Sequence, residues 1–237
     1  MKKKPCVCTY CGELRKPTKD HVIPKALFPK PYPLNMITVP ACEDCNNAKS
    51  RDDDFLRDIL TSDIYGSQSM EAQKVFKSKV LSSVNQNSSD FARLIIAQGR
   101  VEPFYSHGGI QLDSLPTAPL DTARIDRIFS TLIRGLYYDA RKLYIPKGYN
   151  FNVMRYHPRE FQQVYDELSA TLKMRNPRIL GNIFGATYTC AEEDPLTTIW
   201  LLWFYNNVCF SVSSINPDFE KQIAAIDKPT RSWGMSP

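Results

Sequence analysis

Four cysteines near the amino terminus form two pairs, and each pair has the spacing of metal ligands. Cys8 and Cys11 form one C-x2-C pair, and Cys42 and Cys45 form the second pair 30 residues later. Two intervening residues allow both thiolates of a pair to reach one tetrahedral zinc ion. The two pairs therefore predict a closed, structural Zn2+ site that stabilises the first part of the chain. We expect Cys6, which belongs to neither pair, to bind no metal.

Polar residues suited to hydrolysis lie between and beside these pairs. Asp20 and His21 are adjacent in the segment that separates the pairs, and Asn46 directly follows Cys45. Carboxylate and carboxamide oxygens bind hard divalent cations, and an imidazole can accept a proton at neutral pH. Because neighbouring strand residues point to opposite faces, the sequence leaves open whether Asp20 and His21 converge on one site.

The order and spacing of these residues resemble those of the HNH nucleases, a family with a treble-clef or ββα-metal fold. The resemblance covers about 50 of the 237 residues. The matching positions are the two cysteine pairs, the run from Asp20 to Pro24, Asn35, and the run from Asn46 to Lys49. The last letter of the name HNH denotes a histidine, and Asn46 occupies that position in this chain. A subset of the family with zinc-binding cysteine pairs shares this asparagine.

The resemblance implies a second metal site that is catalytic. Asp20 and Asn46 would hold one Mg2+ or Mn2+ ion, because their oxygen atoms suit these cations. His21 would act as general base on the attacking water, and Asn35 would hold the loop or His21. The implied activity is hydrolysis of phosphodiester bonds in DNA, with RNA left open. A role in phage defence or in a mobile element is our preferred expectation among those that the family offers.

The positive charge of the chain is concentrated around these motifs. Residues 1–51 contain 10 Lys/Arg and 4 Asp/Glu, whereas residues 52–237 contain 20 and 21, and the two net charges of +6 and −1 sum to +5. A basic module attracts phosphate backbones through counterion release. A net charge of this size also occurs in proteins that never bind nucleic acid. The predicted nucleic-acid contacts are Lys19, Lys25, Lys49 and Arg51.

Two other functions are consistent with the same residues. One is a zinc module that binds nucleic acid without cleaving it, and the other is a zinc ribbon that binds another protein. In the first of these, His21 would be a surface histidine used only for binding. Cleavage that requires His21 would separate the nuclease from the binding module, and binding indifferent to salt would favour the protein partner.

The remainder of the chain predicts a mixed helical and antiparallel-sheet domain, so the fold class is α+β. Helical periodicity is expected from Asp52, near 69–84 and 89–98, and over 121–143. Acidic residues at 52–54 suit the first turn of a helix. We expect three parts: a zinc-containing HNH module at residues 1–60, a helical connector at 61–120, and an α+β domain at 121–237. The third part would select substrate, mediate dimerisation or regulate the enzyme.

Strands are expected around Phe151, over 179–190, and in a hairpin whose tight turn is Asn206-Asn207. Several aromatic side chains fall in that hairpin, and their density favours packing in the core over stacking on bases. These aromatic residues are Trp200, Trp203, Phe204, Tyr205 and Phe210. His107 and His157 have no partner pattern and receive no role.

Cysteine usage and hydropathy indicate the compartment. The seven cysteines form no even disulfide set, which favours a reducing environment. The lysine-rich start lacks the apolar region of a secretion signal, and the longest apolar run, 199–205, is too short to span a membrane. We expect a cytoplasmic protein without a membrane partner. A homodimer is a further expectation, because one HNH site is expected to cut one strand per engagement. A regulatory partner protein is also expected.

Overall fold

The chain has a mixed α+β architecture, as predicted from its sequence. The computed structural model describes residues 4–105 and 108–226. Small strands come first, with the four clustered cysteines in the segments beside them; several helices follow, and a five-stranded antiparallel sheet forms the second half. His107 lies outside the described residues.

The amino-terminal part consists of two small antiparallel hairpins and one long helix. Strand β1 (Cys6–Val7) pairs with β2 (Leu14–Arg15), and β3 (Thr18–His21) pairs with β4 (Thr38–Ala41). Helix α1 (Glu43–Ser62) begins directly after β4. The chain therefore forms a β-β-α unit in which β3 pairs with β4 and contacts α1, and the second cysteine pair lies where β4 meets α1.

Helix α1 begins at Glu43, so the prediction that a helix starts at Asp52 is wrong. Cys42 is the N-cap, and its sulfur accepts a hydrogen bond from the backbone N–H of Cys45. The acidic residues that face the positive end of the helix dipole are Glu43 and Asp44. The segment 52–54 lies within the helix, where its carboxylates form ion pairs with basic side chains.

The connecting region contains short helices and one hairpin. Helix α2 (Met70–Val75) continues through a π-helical turn (Phe76–Val80) into α3 (Leu81–Asn85), in the region predicted to be helical. Helix α4 (Asp90–Gln98) has Ser89 as its N-cap and Gly99 as its C-cap, and its bounds agree with the predicted 89–98. The following strands, β5 (Arg100–Tyr105) and β6 (Gln111–Thr117), pair only with each other in the described part of the chain.

The second half is built on helix α5 and a five-stranded sheet. Helix α5 (Thr122–Arg141) is capped by the side chain of Asp121, close to the predicted boundaries. The sheet order is β7-β11-β10-β9-β8, with every neighbouring pair antiparallel. Its strands are β7 (Asn150–Tyr156), β8 (Arg178–Leu180), β9 (Phe184–Cys190), β10 (Thr198–Phe204) and β11 (Val208–Ile215). Helix α6 (Pro158–Thr171) follows β7, and α7 (Pro217–Ile226) follows β11.

The hairpin between β10 and β11 has a three-residue loop. Phe204 pairs with Val208, and the residues with positive φ are Tyr205 and Asn206, at 51° and 62°. The turn therefore begins one residue before the predicted Asn206-Asn207 pair. The aromatic residues of this hairpin pack in the core as expected, since Trp200, Phe204, Tyr205 and Phe210 are all buried.

One cluster of buried hydrophobic side chains joins the two halves. It runs from Val22 and Leu56 through Phe129 and Leu136 of α5 to Phe204 of the sheet. Helix α5 contacts α1 and β4 on one side and β7 and β11 on the other. The three-part division of the chain stays a prediction. Within the described residues, no helix is both long enough and apolar enough to cross a membrane.

Candidate metal centres

The four predicted zinc ligands form one cluster. The sulfur atoms of Cys8, Cys11, Cys42 and Cys45 all lie within 4.8 Å of one another, and those of Cys11 and Cys42 are 3.9 Å apart. A tetrahedral zinc ion with Zn–S bonds of about 2.3 Å places its sulfur ligands roughly 3.8 Å apart. The donor set therefore fits a structural Zn2+ ion. Within residues 4–105 and 108–226 no other group of three or more His, Cys, Asp and Glu side chains is suited to a metal, and Cys6 is not part of this one.

Backbone donors and electrostatics also favour a cation between these sulfur atoms. The backbone N–H of Cys42 donates to the sulfur of Cys8 at 3.2 Å. Burial raises the pKa of the Cys8 thiol, but hydrogen bonds from the backbone of Cys11, Cys42 and Tyr10 lower that pKa to about 7. Burial and the neighbouring sulfur atoms raise the pKa of Cys45. Four thiolates at this distance need a bound cation to offset their mutual repulsion.

The Asn46 side chain is held against β3 in a single orientation. Its amide nitrogen donates to the hydroxyl of Thr18 at 3.1 Å. That hydroxyl donates its only proton to the carbonyl of Ala41 at 2.9 Å, so it can only accept from Asn46. The amide group must therefore face Thr18, and the Oδ1 atom of Asn46 points elsewhere. No hydrogen bond within the described residues reaches that oxygen.

Asp20 lies two residues after Thr18, and side chains two residues apart on a strand share one face. The Asp20 side chain is buried, with 6% of its surface exposed. The hydroxyl of Tyr10 donates to its Oδ2 atom, and the ammonium of Lys49 lies 3.5 Å from the same oxygen. Its other oxygen, Oδ1, receives no hydrogen bond within the described part of the chain. The structure thus brings Asp20 and Asn46 to one face of β3, each with one oxygen free of protein donors.

Lys49 ties the Asp20-His21 pair to α1. Asn46, Lys49 and Asp53 are three and four residues apart, so they share the side of the helix that faces β3. The Lys49 ammonium donates to the carbonyl of His21 at 2.9 Å, and it also contacts the carboxylates of Asp53 at 2.9 Å and Asp20. Only 7% of Lys49 is exposed, so this predicted nucleic-acid contact is enclosed by protein groups.

The other predicted nucleic-acid contacts are on the surface. Lys19, Lys25 and Arg51 are all exposed. Lys19 lies in β3, between Thr18 and Asp20, and its exposure agrees with the alternation of that strand.

His21 ends β3 and lies next to Asp20, but its environment differs. Its side chain is partly exposed, and the imidazole makes no hydrogen bond within the described residues. Burial, and then the positive charge of Lys25, lower the pKa of His21. A lowered pKa favours the neutral imidazole, which is the form that can accept a proton. The Asn35 side chain is exposed, and no hydrogen bond in the described part joins it to His21.

Two further ionisable groups complete the buried network around Asp20. Burial raises the pKa of Tyr10 well above its usual range, so the hydroxyl remains a proton donor. Burial also raises the pKa of Asp53 to about 7, although Lys49 opposes this shift. The sequence did not single out Tyr10 or Thr18. Their positions in the sequence could have identified them, because Tyr10 lies inside the first C-x2-C pair and Thr18 shares the strand face of Asp20.

The turn after His21 is held by two distant parts of the chain. Residues 25–27 form one turn of 3-10 helix. The ammonium of Lys79, in the π-helical turn, donates to three backbone carbonyls in and just after this turn, at 2.8–3.2 Å. They are the carbonyls of Lys25, Ala26 and Phe28. The hydroxyl of Tyr205 donates to the carbonyl of Leu27 at 2.8 Å. The connecting region and the sheet therefore both fix the backbone that follows His21.

No protein-family model, curated protein or solved structure matches this chain.

Proposed function

We propose that this chain is a metal-dependent endonuclease of the HNH type that hydrolyses phosphodiester bonds in DNA. The observation that supports it best is the arrangement of Asn46 and Asp20 on one face of β3. The hydroxyl of Thr18 orients Asn46, and among the residues that the structure describes no donor reaches the Oδ1 atoms of Asn46 and Asp20. Two such hard oxygen ligands next to a neutral histidine suit a hydrolytic Mg2+ or Mn2+ site.

The proposal assigns a task to each group. Cys8, Cys11, Cys42 and Cys45 would hold Zn2+, and Asp20 and Asn46 would hold the divalent ion. That ion would supply positive charge at the scissile phosphate and at the departing 3′ oxygen.

The protein's own residues perform the remaining steps. The imidazole of His21 takes a proton from the attacking water. Lys49 fixes the His21 backbone and the Asp20 carboxylate relative to α1, so both keep their positions during the reaction. The exposed Lys19, Lys25 and Arg51 contact the phosphate backbone. A place in phage defence or in a mobile element is the setting that we propose for this activity.

Cleavage of supercoiled plasmid DNA tests the proposal. Zinc-loaded protein is incubated with plasmid in Mg2+ or Mn2+, beside the variants His21→Ala and Asn46→Ala. Loss of a general base is expected to slow cleavage by about a hundredfold or more. His157→Asn is the matched control, because His157 is exposed at the start of α6 and asparagine preserves its capping role. Equal cleavage by wild type and His21→Ala would contradict the proposal.

A second candidate is a zinc module that binds nucleic acid without cleaving it. One observation favours it: the Lys49 ammonium, 3.5 Å from Asp20, already gives that carboxylate a cationic partner. This candidate predicts salt-dependent binding of DNA and no cleavage in either metal. Binding measured over a range of salt concentrations, in parallel with the plasmid assay, separates the two functions.

A further inference from the structure

We infer that Tyr10 and Lys49 are positioning residues that make Asp20 a one-oxygen ligand and thereby favour Mg2+ or Mn2+ over Ca2+. This inference rests on the proposed function, because it requires a divalent ion at Asp20. It adds the origin of metal selectivity, which lies in two residues outside the predicted ligand set.

Two side chains approach the same carboxylate oxygen of Asp20. The hydroxyl of Tyr10 and the ammonium of Lys49 both approach Oδ2 of Asp20, from two different elements. Oδ1 of the same carboxylate receives no hydrogen bond within residues 4–105 and 108–226. Because Oδ2 accepts from Tyr10 and faces the Lys49 ammonium 3.5 Å away, Oδ1 is the oxygen left open to a metal ion.

Both donors are themselves fixed. Tyr10 lies between Cys8 and Cys11, so a zinc ion bound to the four cysteines restrains its backbone. Lys49 is buried, and its ammonium also contacts the His21 carbonyl and Asp53. The carboxylate of Asp20 therefore cannot rotate to present both oxygens without breaking contacts that are anchored elsewhere.

Denticity matters because the cations differ in size and coordination. Mg2+ requires near-ideal octahedral geometry with short metal–oxygen bonds, whereas Ca2+ takes more ligands and readily accepts both oxygens of one carboxylate. A carboxylate restricted to one oxygen therefore suits the smaller ions. Removing a donor to Oδ2 is expected to raise the affinity for Ca2+ more than the affinity for Mg2+ or Mn2+.

Mn2+ binding to the zinc-loaded protein tests this inference without relying on activity. Free Mn2+ is measured by electron paramagnetic resonance while Ca2+ competes for the site. Tyr10→Phe removes one hydroxyl and keeps the ring. Losing a hydrogen bond to a charged group is expected to shift the ratio of Ca2+ to Mn2+ affinity toward Ca2+ by about tenfold.

The matched control is Tyr32→Phe. The Tyr32 hydroxyl makes no hydrogen bond within the described residues, and its ring contacts with Lys25 and Lys79 are kept by phenylalanine. This control should keep the wild-type ratio and the wild-type zinc content. A Tyr10→Phe variant with normal zinc content and an unchanged ratio would overturn the inference, while plasmid cleavage by the wild type would leave the proposed function standing. Mn2+ binding that is absent, or that survives Asp20→Ala, would overturn both.

A second variant covers the case in which Tyr10→Phe loses zinc. Lys49→Arg keeps the positive charge but introduces a planar guanidinium, which can pair with both oxygens of a carboxylate. It should then occupy Oδ1 of Asp20 and weaken Mn2+ binding at least tenfold, with zinc retained. Unchanged Mn2+ affinity in Lys49→Arg would also overturn the inference.

Discussion

At the scale of single residues, the Thr18 hydroxyl decides which atom of Asn46 is free. Its proton is committed to the Ala41 carbonyl, so the amide group of Asn46 must turn toward it. A residue that is no metal ligand thereby sets the orientation of a proposed ligand. Such outer contacts commonly matter almost as much as the ligands themselves.

Replacing Thr18 tests this orientation. Thr18→Val keeps the shape of the side chain but removes the hydroxyl, so the Asn46 carboxamide can rotate. Removing an outer contact of this kind is expected to weaken Mn2+ binding, or to slow plasmid cleavage, about ten- to a hundredfold. Thr18→Ser keeps the hydroxyl and should remain close to wild type. Equal Mn2+ affinity of the valine and serine variants would contradict this role.

Asp53 gives a pH dependence of stability whose sign can be stated. Burial raises its pKa in the folded protein from an ordinary 3.8 to about 7. Between these values the folded chain holds a proton that the unfolded chain has lost, so the free energy of unfolding falls as pH rises. Above about pH 7 this contribution no longer changes.

The measurement compares wild type with Asp53→Asn, whose side chain does not titrate. Urea denaturation between about pH 6 and about pH 8 keeps the zinc ligands largely deprotonated when zinc is bound. The wild type should lose stability relative to the variant as pH rises through this range. The raised pKa of Asp53 would be refuted if the difference in free energy of unfolding between the two proteins stayed constant, or if it changed in favour of the wild type.

The cysteine cluster could be predicted from the sequence, but the side-chain contacts around Asp20 could not. Cysteine spacing and the Asp20-His21 and Asn46 positions are local patterns, and the four sulfur atoms do meet as predicted. The roles of Tyr10 and Lys49 depend on where α1 crosses β3, which no local pattern specifies. Lys49 is the clearest example. A basic residue beside a motif is expected to be exposed, but Lys49 is buried.

At the scale of elements, the start of α1 depends on the metal site. Its first two turns are polar and lack an apolar stripe, so periodicity alone places the helix start too late. The N-cap is Cys42, whose sulfur accepts from the backbone of Cys45. One residue thus belongs to the cysteine cluster and caps the helix, and a pattern search for Ser, Thr, Asp or Asn caps misses this boundary. Helices α4 and α5 carry ordinary signals, and their boundaries agree with the predicted ranges 89–98 and 121–143 to within two residues.

The close approach of α5 to the segment after His21 gives a prediction at this scale. A Cβ atom added at Gly135 would lie 2.7 Å from a methyl carbon of Val22, which is buried. Gly135→Ala should therefore push α5 away from Val22 and cost about 1–3 kcal/mol in the free energy of unfolding. Gly148→Ala is the control, because nothing lies within 4 Å of its added Cβ. Denaturation of both variants checks this, and equal stability would refute a tight contact.

At the scale of the whole molecule, the cysteine cluster and the sheet belong to one continuous core. The core cluster includes Cys8 and Cys42 as well as Phe204 and Val212. Loss of zinc should therefore lower the melting temperature of the entire chain, in a single transition, because the metal site packs directly on that core. Differential scanning calorimetry with and without a chelator measures this. Two separate transitions, with the sheet unaffected, would show that the core does not unfold as one unit.

Long-range packing is also what the sequence predicts least well. The α+β class and most elements follow from local periodicity, but the order of the five strands does not. The contact of Tyr205 with Leu27 joins residues 178 positions apart, and nothing in either segment indicates the other. A central helix that touches both the zinc-bearing part and the sheet is likewise visible only in the fold.

That same contact has a consequence for how the protein is made. During synthesis, the cysteines and the Asp20-His21 pair leave the ribosome long before Tyr205 has been translated. Until then the Leu27 carbonyl lacks its buried donor, and the turn after His21 lacks one of its two anchors. A nascent chain can thus bind zinc early and still lack the finished backbone around His21. If the chain cleaves DNA as proposed, the backbone around His21 receives its last anchor only once the β10–β11 hairpin has been synthesised.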